Sequence, residues 1–157
     1  WLAPVTETDL READVYLPPA AQAWFRSLPR DLQWHGLRVM RDLRRSGFDR
    51  SDVLAAALLH DAGKAVGPSG PLGRAIIVLA QHTAPLKFDR YRSVDWRSAR
   101  GLERLLAVAW QHPHIAAERA QACGCEPTTI DLIQRHQNRS GSNDPVLIAF
   151  QTVDDRN

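Results

Sequence analysis

The sequence is poor in cysteine, in net charge and in long apolar runs, and each shortage excludes a class of protein. Its 157 residues include two cysteines, Cys123 and Cys125, whose one-residue separation fits neither a disulfide framework nor a four-cysteine zinc site. Twenty basic and eighteen acidic residues leave a formal charge of +2, which does not by itself indicate nucleic-acid binding. No apolar run approaches the roughly 20 residues of a membrane span. We therefore expect a cytoplasmic protein without a membrane or nucleic-acid partner.

Helical spacing of apolar residues recurs along the chain, whereas alternating strand patterns, Asn-Gly hairpins and internal repeats do not. This predicts an all-α fold: a single compact bundle of about seven to eight helices. Residues 1–19 are expected to form an N-terminal arm or a short helix, and residues 20–157 the helical domain. Residues 74–81 are predicted to be helical, and residues 83–97 to form a loop or an exposed connector.

The stretch "AALLHDAGKAV", residues 56–66, ends a small and apolar run on two polar residues, His60 and Asp61. Small and apolar residues fill almost the whole circumference of this segment, which predicts a buried central helix. An unpaired carboxylate is costly to bury, so we expect a cation beside Asp61. A metal ion is one candidate, and Lys64, three residues later, is the other.

Four further histidines and one aspartate supply metal-ligand types on or at the ends of other predicted helices: His35, His112, His114, His136 and Asp154. Helical bundles build metal sites from side chains of several helices that converge in the interior. Imidazole and carboxylate together suit iron, manganese, cobalt, nickel or zinc better than calcium or magnesium. A single helical histidine is more often an ordinary core or surface residue, and we assign His82 to that class because no acidic residue lies beside it.

"LLHDAGK" resembles the HD-x-G-K signature of the HD-domain metal-dependent phosphohydrolase superfamily, an all-helical fold whose ligands follow the order His, His-Asp, Asp. His35 in "WHGLRVM" matches the first position, His60 and Asp61 the doublet, and Asp154 in "LIAFQTVDD" the last. Asp155 is the alternative for the last position, but Asp154 matches the pattern better. The resemblance covers residues 20–157.

Between these positions, "QHPHIAAERAQACGCEPTTIDLIQRHQ" resembles the paired-histidine insertion of the branch that binds two metals, with His112 and His136 at the matching positions. Because proline favours the first position of a helix, Pro113 predicts that His112 is the N-cap residue of a new helix. His114 would then lie in the first turn, facing solvent. It remains the alternative ligand.

The resemblance implies two divalent transition metal ions and hydrolysis of a phosphomonoester or phosphodiester, nucleotides included, by a metal-activated hydroxide. We expect Asp61 to bridge the metals and to act in catalysis, while Lys64 holds a phosphate oxygen or orients Asp61. The alternative for Lys64 is an ordinary solvated lysine at a helix C-terminus. The metal ligands expected on this basis are His35, His60, Asp61, His112, His136 and Asp154.

Differences from the motifs of individual branches limit which branch of the HD superfamily the chain can resemble. The region after the paired histidines, "HQNRSGSNDP", lacks the Gly-Tyr-Pro motif of the cyclic-dinucleotide phosphodiesterases, and the guanosine-tetraphosphate hydrolase and deoxynucleotidase branches fit poorly. The chain most resembles the small, freestanding bacterial HD hydrolases. Two alternatives stay open: a catalytically silent HD domain that binds a phosphorylated ligand or partner as a sensor or scaffold, and a di-iron oxygenase.

Overall fold

The computed structural model describes residues 4–67, 70–83, 88–138, 141 and 143–157. Eight α-helices lie within them: α1 (Glu7–Asp14), α2 (Pro19–Ser27), α3 (Arg30–Arg45), α4 (Ser51–Leu59), α5 (Pro71–Thr83), α6 (Gly101–Ala122), α7 (Pro127–Arg135) and α8 (Pro145–Asp154). No strand occurs in this part of the chain, so the predicted all-α fold and its number of helices are confirmed. Nor does any helix in it have the length and apolar character of a membrane-crossing segment.

The chain divides into two compact units, one of residues 1–62 with 113–157 and the other of residues 63–112. Helix α4 is the centre of the first unit, where it packs against α3 and α7. All its residues from Val53 to Leu59 are buried. A helix that is apolar on every side can be stable only when it is surrounded, which is why the sequence predicted its position correctly.

A glycine lets α3 and α4 approach each other closely. A Cβ atom built on Gly36 would lie 2.7 Å from the backbone oxygen of Leu58, a separation that real side chains do not adopt. Gly36 follows His35, and Leu58 precedes His60 by two residues. The helix contact therefore sets the distance between these two histidines.

The N-terminal residues form a short helix rather than an extended arm. Thr6 and Asp9 form a capping box at the start of α1. Arg41 of α3 donates to Asp9 and Glu12, and Arg26 of α2 donates to carboxylates at both ends of α1. These ion pairs hold α1 against the next two helices.

The predicted helix boundary at Pro113 is wrong, because α6 continues through it and His112 is not an N-cap residue. Proline has no N–H to give the carbonyl four residues earlier, here that of Ala109. The Nδ1 atom of His112 donates to this carbonyl at 2.9 Å instead. The imidazole thus replaces the missing backbone donor, which helps the helix to tolerate the proline.

The second unit has a small core of its own. Tyr91, Leu106 and Ala107 are buried there, and they pack against Ile76, Ile77, Ala80, Phe88, Val94, Trp96 and Trp110. The helix predicted at residues 74–81 is present as α5. The segment 83–97 is not simply an exposed connector: it contains the 3-10 helix Arg90–Ser93, whose Tyr91 is buried, while residues 84–87 lie outside the described part.

Candidate metal centre

Five of the predicted ligands converge in the first unit, each from the interior or the end of a helix. His35 lies in α3, His60 and Asp61 directly follow α4, His136 directly follows α7, and Asp154 is the last residue of α8. His60 and His136 are almost completely buried, and the side chain of Asp61 is 11% exposed. The cluster therefore lies largely out of solvent while one edge stays accessible.

Three ligand atoms form a nearly equilateral triangle. The Nε2 atoms of His35 and His60 are 3.2 Å apart, and Oδ1 of Asp154 lies 3.1 Å from the first and 3.2 Å from the second. Two adjacent ligands at right angles on a metal, each about 2.1 Å from it, are about 3.0 Å apart. The triangle has the size of one face of a metal coordination sphere.

Backbone carbonyls fix which nitrogen of the buried histidines faces the centre. Nδ1 of His60 lies 2.9 Å from the carbonyl oxygen of Ala57, and Nδ1 of His136 lies 2.6 Å from that of Ile133. A carbonyl oxygen can only accept, so Nδ1 carries the proton in both rings. The neutral imidazole then directs the lone pair of Nε2 into the cluster, as metal-ligating histidines do.

The centre requires positive charge. Nε2 of neutral His60 and the carboxylate of Asp154 are both acceptors, and two acceptors 3.2 Å apart repel each other unless a cation or a proton lies between them. A proton on the His35 or His60 ring acts in the same way: burial alone would raise the pKa of the Asp154 carboxyl, but hydrogen bonds donated by these rings when Nε2 is protonated outweigh it and hold that pKa well below its usual range. Asp154 is therefore an anion that a divalent ion can bind without first displacing a proton.

Asp61 presents its two oxygens to different histidines. Oδ2 lies 3.5 Å from Nε2 of His35, whereas Oδ1 lies 3.8 Å from Nε2 of both His60 and His136. A carboxylate oriented in this way can contact cations on two sides. This geometry is compatible with the bridging role predicted from the sequence.

The donor set can hold a metal ion. His35, His60 and Asp61 offer ligand atoms within 4.8 Å of one another, and so do His60, His136 and Asp154. The rings of His60 and His136 are 5.0 Å apart and nearly perpendicular. Nitrogen and carboxylate donors in this mixture suit a transition metal.

Two residues that the sequence interpretation missed support the ligands. Phe150 is fully buried and packs edge-on against the ring of His60, with the centroids 5.5 Å apart. Gln151 donates from Nε2 to the carbonyl oxygens of His136 at 3.0 Å and Asn138 at 2.8 Å. Gln151 thereby satisfies two carbonyls beyond the end of α7 and holds the backbone of His136. The one available signal was its position, one turn before Asp154 on an apolar helix.

The other predicted site residues differ in exposure. His112, the last residue of the second unit, is 1% exposed, whereas His114 is exposed and lies 3.3 Å from the Gln134 amide. Asp155 and Lys64 are also exposed, and Lys64 belongs to the 3-10 helix Ala62–Val66. The ligand role of His112 and the catalytic role of Lys64 stay predictions from the sequence.

Comparisons with protein families, with curated proteins and with solved structures found no significant match to this chain. The resemblance to HD-domain proteins therefore rests on the sequence motifs alone.

Proposed function

We propose that this protein is a metal-dependent phosphohydrolase of the HD type, acting on a phosphomonoester or a phosphodiester, with nucleotides among its candidate substrates. The observation that carries the proposal is the triangle of His35, His60 and Asp154 atoms at 3.1 to 3.2 Å, with Asp61 beside it. Its residues occur in the ligand order of that family.

Divalent ions held by these residues supply two things that phosphoester hydrolysis needs: a bound water whose pKa falls towards 7, and positive charge for the phosphoryl oxygens. The carbonyl bonds to Nδ1 of His60 and His136 keep both rings in the orientation that ligation requires. Burial of His60 and His136 keeps bulk water from competing for the donors.

Two metal ions would be held here. His35, His60 and Asp154 would hold the first, and Asp61, whose two oxygens lie near different histidines, would contribute to both. His136 would hold the second, for which the sequence resemblance adds His112. Lys64 is proposed to bind a phosphate oxygen of the substrate or to orient Asp61.

The test is hydrolysis of bis(p-nitrophenyl) phosphate and p-nitrophenyl phosphate by protein reconstituted in turn with manganese, cobalt, zinc or ferrous iron. We expect metal-dependent turnover of at least one ester, reduced at least about a thousandfold in Asp61→Asn, because that change removes a charged ligand at the centre. His114→Asn is the matched control and keeps its activity.

Two results would replace the proposal. Metal binding without turnover of either ester class indicates the catalytically silent binding domain. Oxygen consumption by the iron-loaded protein, without hydrolysis, indicates the di-iron oxygenase. Either result would keep the assignment of a metal centre and would assign a different function to it.

A further inference from the structure

The small net charge of the chain conceals a strong asymmetry between its two units. The second unit, residues 63–112, contains eight lysines and arginines but three aspartates and glutamates, a formal charge of +5. The first unit contains twelve basic and fifteen acidic residues, a formal charge of −3. No acidic residue occurs between Asp61 and Asp89, although Lys64, Arg74 and Lys87 lie there. A local excess of this kind attracts anionic surfaces.

Ion pairs and stacking on aromatic rings both restrain arginines of this chain. In the first unit many of them pair with carboxylates, namely Arg11, Arg26, Arg41, Arg44, Arg45, Arg50 and Arg135. In the second unit, the guanidinium of Arg90 lies 4.9 Å from the ring centre of Tyr91, and that of Arg92 lies 5.8 Å from that of Trp110. Stacking on a ring restrains an arginine without neutralising its charge.

Helix α5 adds an exposed apolar face to this basic unit. Ile76, Ile77 and Ala80 pack on the unit's core. Val78 and Leu79 are 53% and 62% exposed, and they share the outer face with Ala75 and His82, three and four residues away. Leu102, at the start of α6, is 56% exposed as well.

The combination of basic charge and exposed aliphatic side chains favours a partner that can interact with both. A nucleic acid would use the charge but has no use for the aliphatic face. An anionic bilayer uses both, because headgroup phosphates attract arginines and the acyl boundary accepts aliphatic side chains. We propose that the second unit docks on the surface of an anionic membrane, with the outer face of α5 inserted at the headgroup boundary. The expectation of no membrane partner rested on the lack of a spanning segment, which surface binding does not need.

The test is co-sedimentation of the full chain with vesicles of phosphatidylcholine alone and of phosphatidylcholine mixed with phosphatidylglycerol. We expect binding to the anionic vesicles only, weakened by added salt. The double variants Val78→Ser with Leu79→Ser, and Arg90→Gln with Arg92→Gln, should each lower the partition coefficient by about tenfold or more.

Matched controls lie in the first unit. Val15→Ser with Ile148→Ser removes two exposed aliphatic side chains, and Arg11→Gln with Arg156→Gln removes two positive charges. Both should bind vesicles like the wild type. The proposal is overturned if anionic vesicles do not bind the protein, if the controls lose binding as much as the variants, or if DNA binds more tightly than the vesicles do.

Discussion

Asp154 and Asp155 are adjacent carboxylates with different surroundings. Consecutive residues of a helix point about 100° apart, so one of a pair can face the core while the other faces water. Asp154 lies beside the rings of His35 and His60 with its side chain 18% exposed, whereas Asp155 is exposed. Comparing substitutions of these two residues therefore distinguishes the loss of a metal ligand from the loss of a nearby negative charge.

We predict that Asp154→Asn weakens binding of manganese or zinc at least about a hundredfold, because losing a direct ligand should cost no less than losing one of its supporting residues. Asp155→Asn removes the same charge one position away and should leave the affinity unchanged. Isothermal titration calorimetry of both variants measures the difference. Equal affinities for the two would rule out Asp154 as a ligand.

His112 and His114 form a second pair of close neighbours with opposite exposure. His112 is buried, with Nδ1 bonded to the Ala109 carbonyl, as Nδ1 of His60 and of His136 is bonded to a carbonyl three residues earlier. We predict that His112→Asn removes about one equivalent of bound metal and that His114→Asn removes none. Elemental analysis of the two purified variants decides between them, and the reverse pattern would assign the ligand to His114.

At the scale of helices, the ends of α4 and α7 carry the chemistry. His60 and His136 follow these helices directly, and each bonds a carbonyl three residues earlier. The last carbonyls of a helix lack backbone donors, so an imidazole placed there both caps the helix and acquires a fixed orientation. The same hydrogen bond serves the fold and the site.

The contact between α3 and α4 makes the histidine geometry sensitive to Gly36. Alanine in a helix normally stabilises by about 0.5–1 kcal/mol relative to glycine, but here its Cβ would meet the Leu58 backbone. We therefore predict that Gly36→Ala lowers the free energy of unfolding by about 1–3 kcal/mol and also weakens metal binding.

Gly70→Ala is the control for this substitution, since nothing lies within 4 Å of a Cβ atom there. Chemical denaturation and metal titration measure both variants. A stabilised Gly36→Ala protein with wild-type affinity would show that the two helices are not in close contact.

The attachment of α1 to α3 should depend on pH. Hydrogen bonds from Arg41 and Thr6 lower the pKa of Asp9 from 3.8 to about 2. Because the folded state favours the carboxylate, its stabilisation is complete above the ordinary pKa and is lost as the pH falls towards 2. We predict that Asp9→Asn lowers the free energy of unfolding by about 1 kcal/mol at neutral pH, and that the difference from wild type shrinks as the pH falls and disappears only below about pH 2.

Denaturation curves across this pH range test the prediction. The control is Asp131→Asn, which removes an exposed carboxylate from an ion pair within one helix, where a smaller effect is expected. If the difference in free energy of unfolding between wild type and Asp9→Asn stays constant with pH, the stabilisation by Asp9 does not come from its charge.

The sequence predicted the helices well where apolar spacing decides the outcome, as in the buried α4. It failed at Pro113, because the hydrogen bond from the His112 ring to Ala109 comes from the side chain and leaves no periodic signal. The burial of Tyr91 was missed for a related reason: the surrounding arginines obscure one aromatic residue in a polar segment. Contacts such as that of Gly36 with Leu58 join distant parts of the chain and cannot be found in local patterns.

For the whole molecule, the net charge of the chain hid the difference in charge between its two units. A formal charge of +2 did not by itself indicate nucleic-acid binding, yet the second unit alone carries +5. Tertiary contacts define the boundaries of that unit, so the asymmetry of charge between the units could be calculated only once the structure was known. The five residues that converge in the first unit, by contrast, had been named from the sequence, because the order of residue types along the chain suggested them. Their role as ligands stays a prediction.

A metal bound in the first unit should stabilise it. Its ligands come from α3, α8 and the residues that follow α4 and α7, which an unfolded chain does not hold together, so binding favours the folded state. Without an ion or a proton between them, Nε2 of His60 and the Asp154 carboxylate are two acceptors that repel each other.

The most direct test of the metal centre is therefore the metal content of protein purified without chelator, measured together with the melting temperature before and after chelation. We predict about two equivalents of transition metal, a melting temperature several degrees lower after chelation and its recovery when metal is restored. The Asp154→Asn variant should retain less metal and respond less. A folded wild-type protein that retains no metal, and whose melting temperature does not respond to added manganese, cobalt, zinc or iron, would contradict the account.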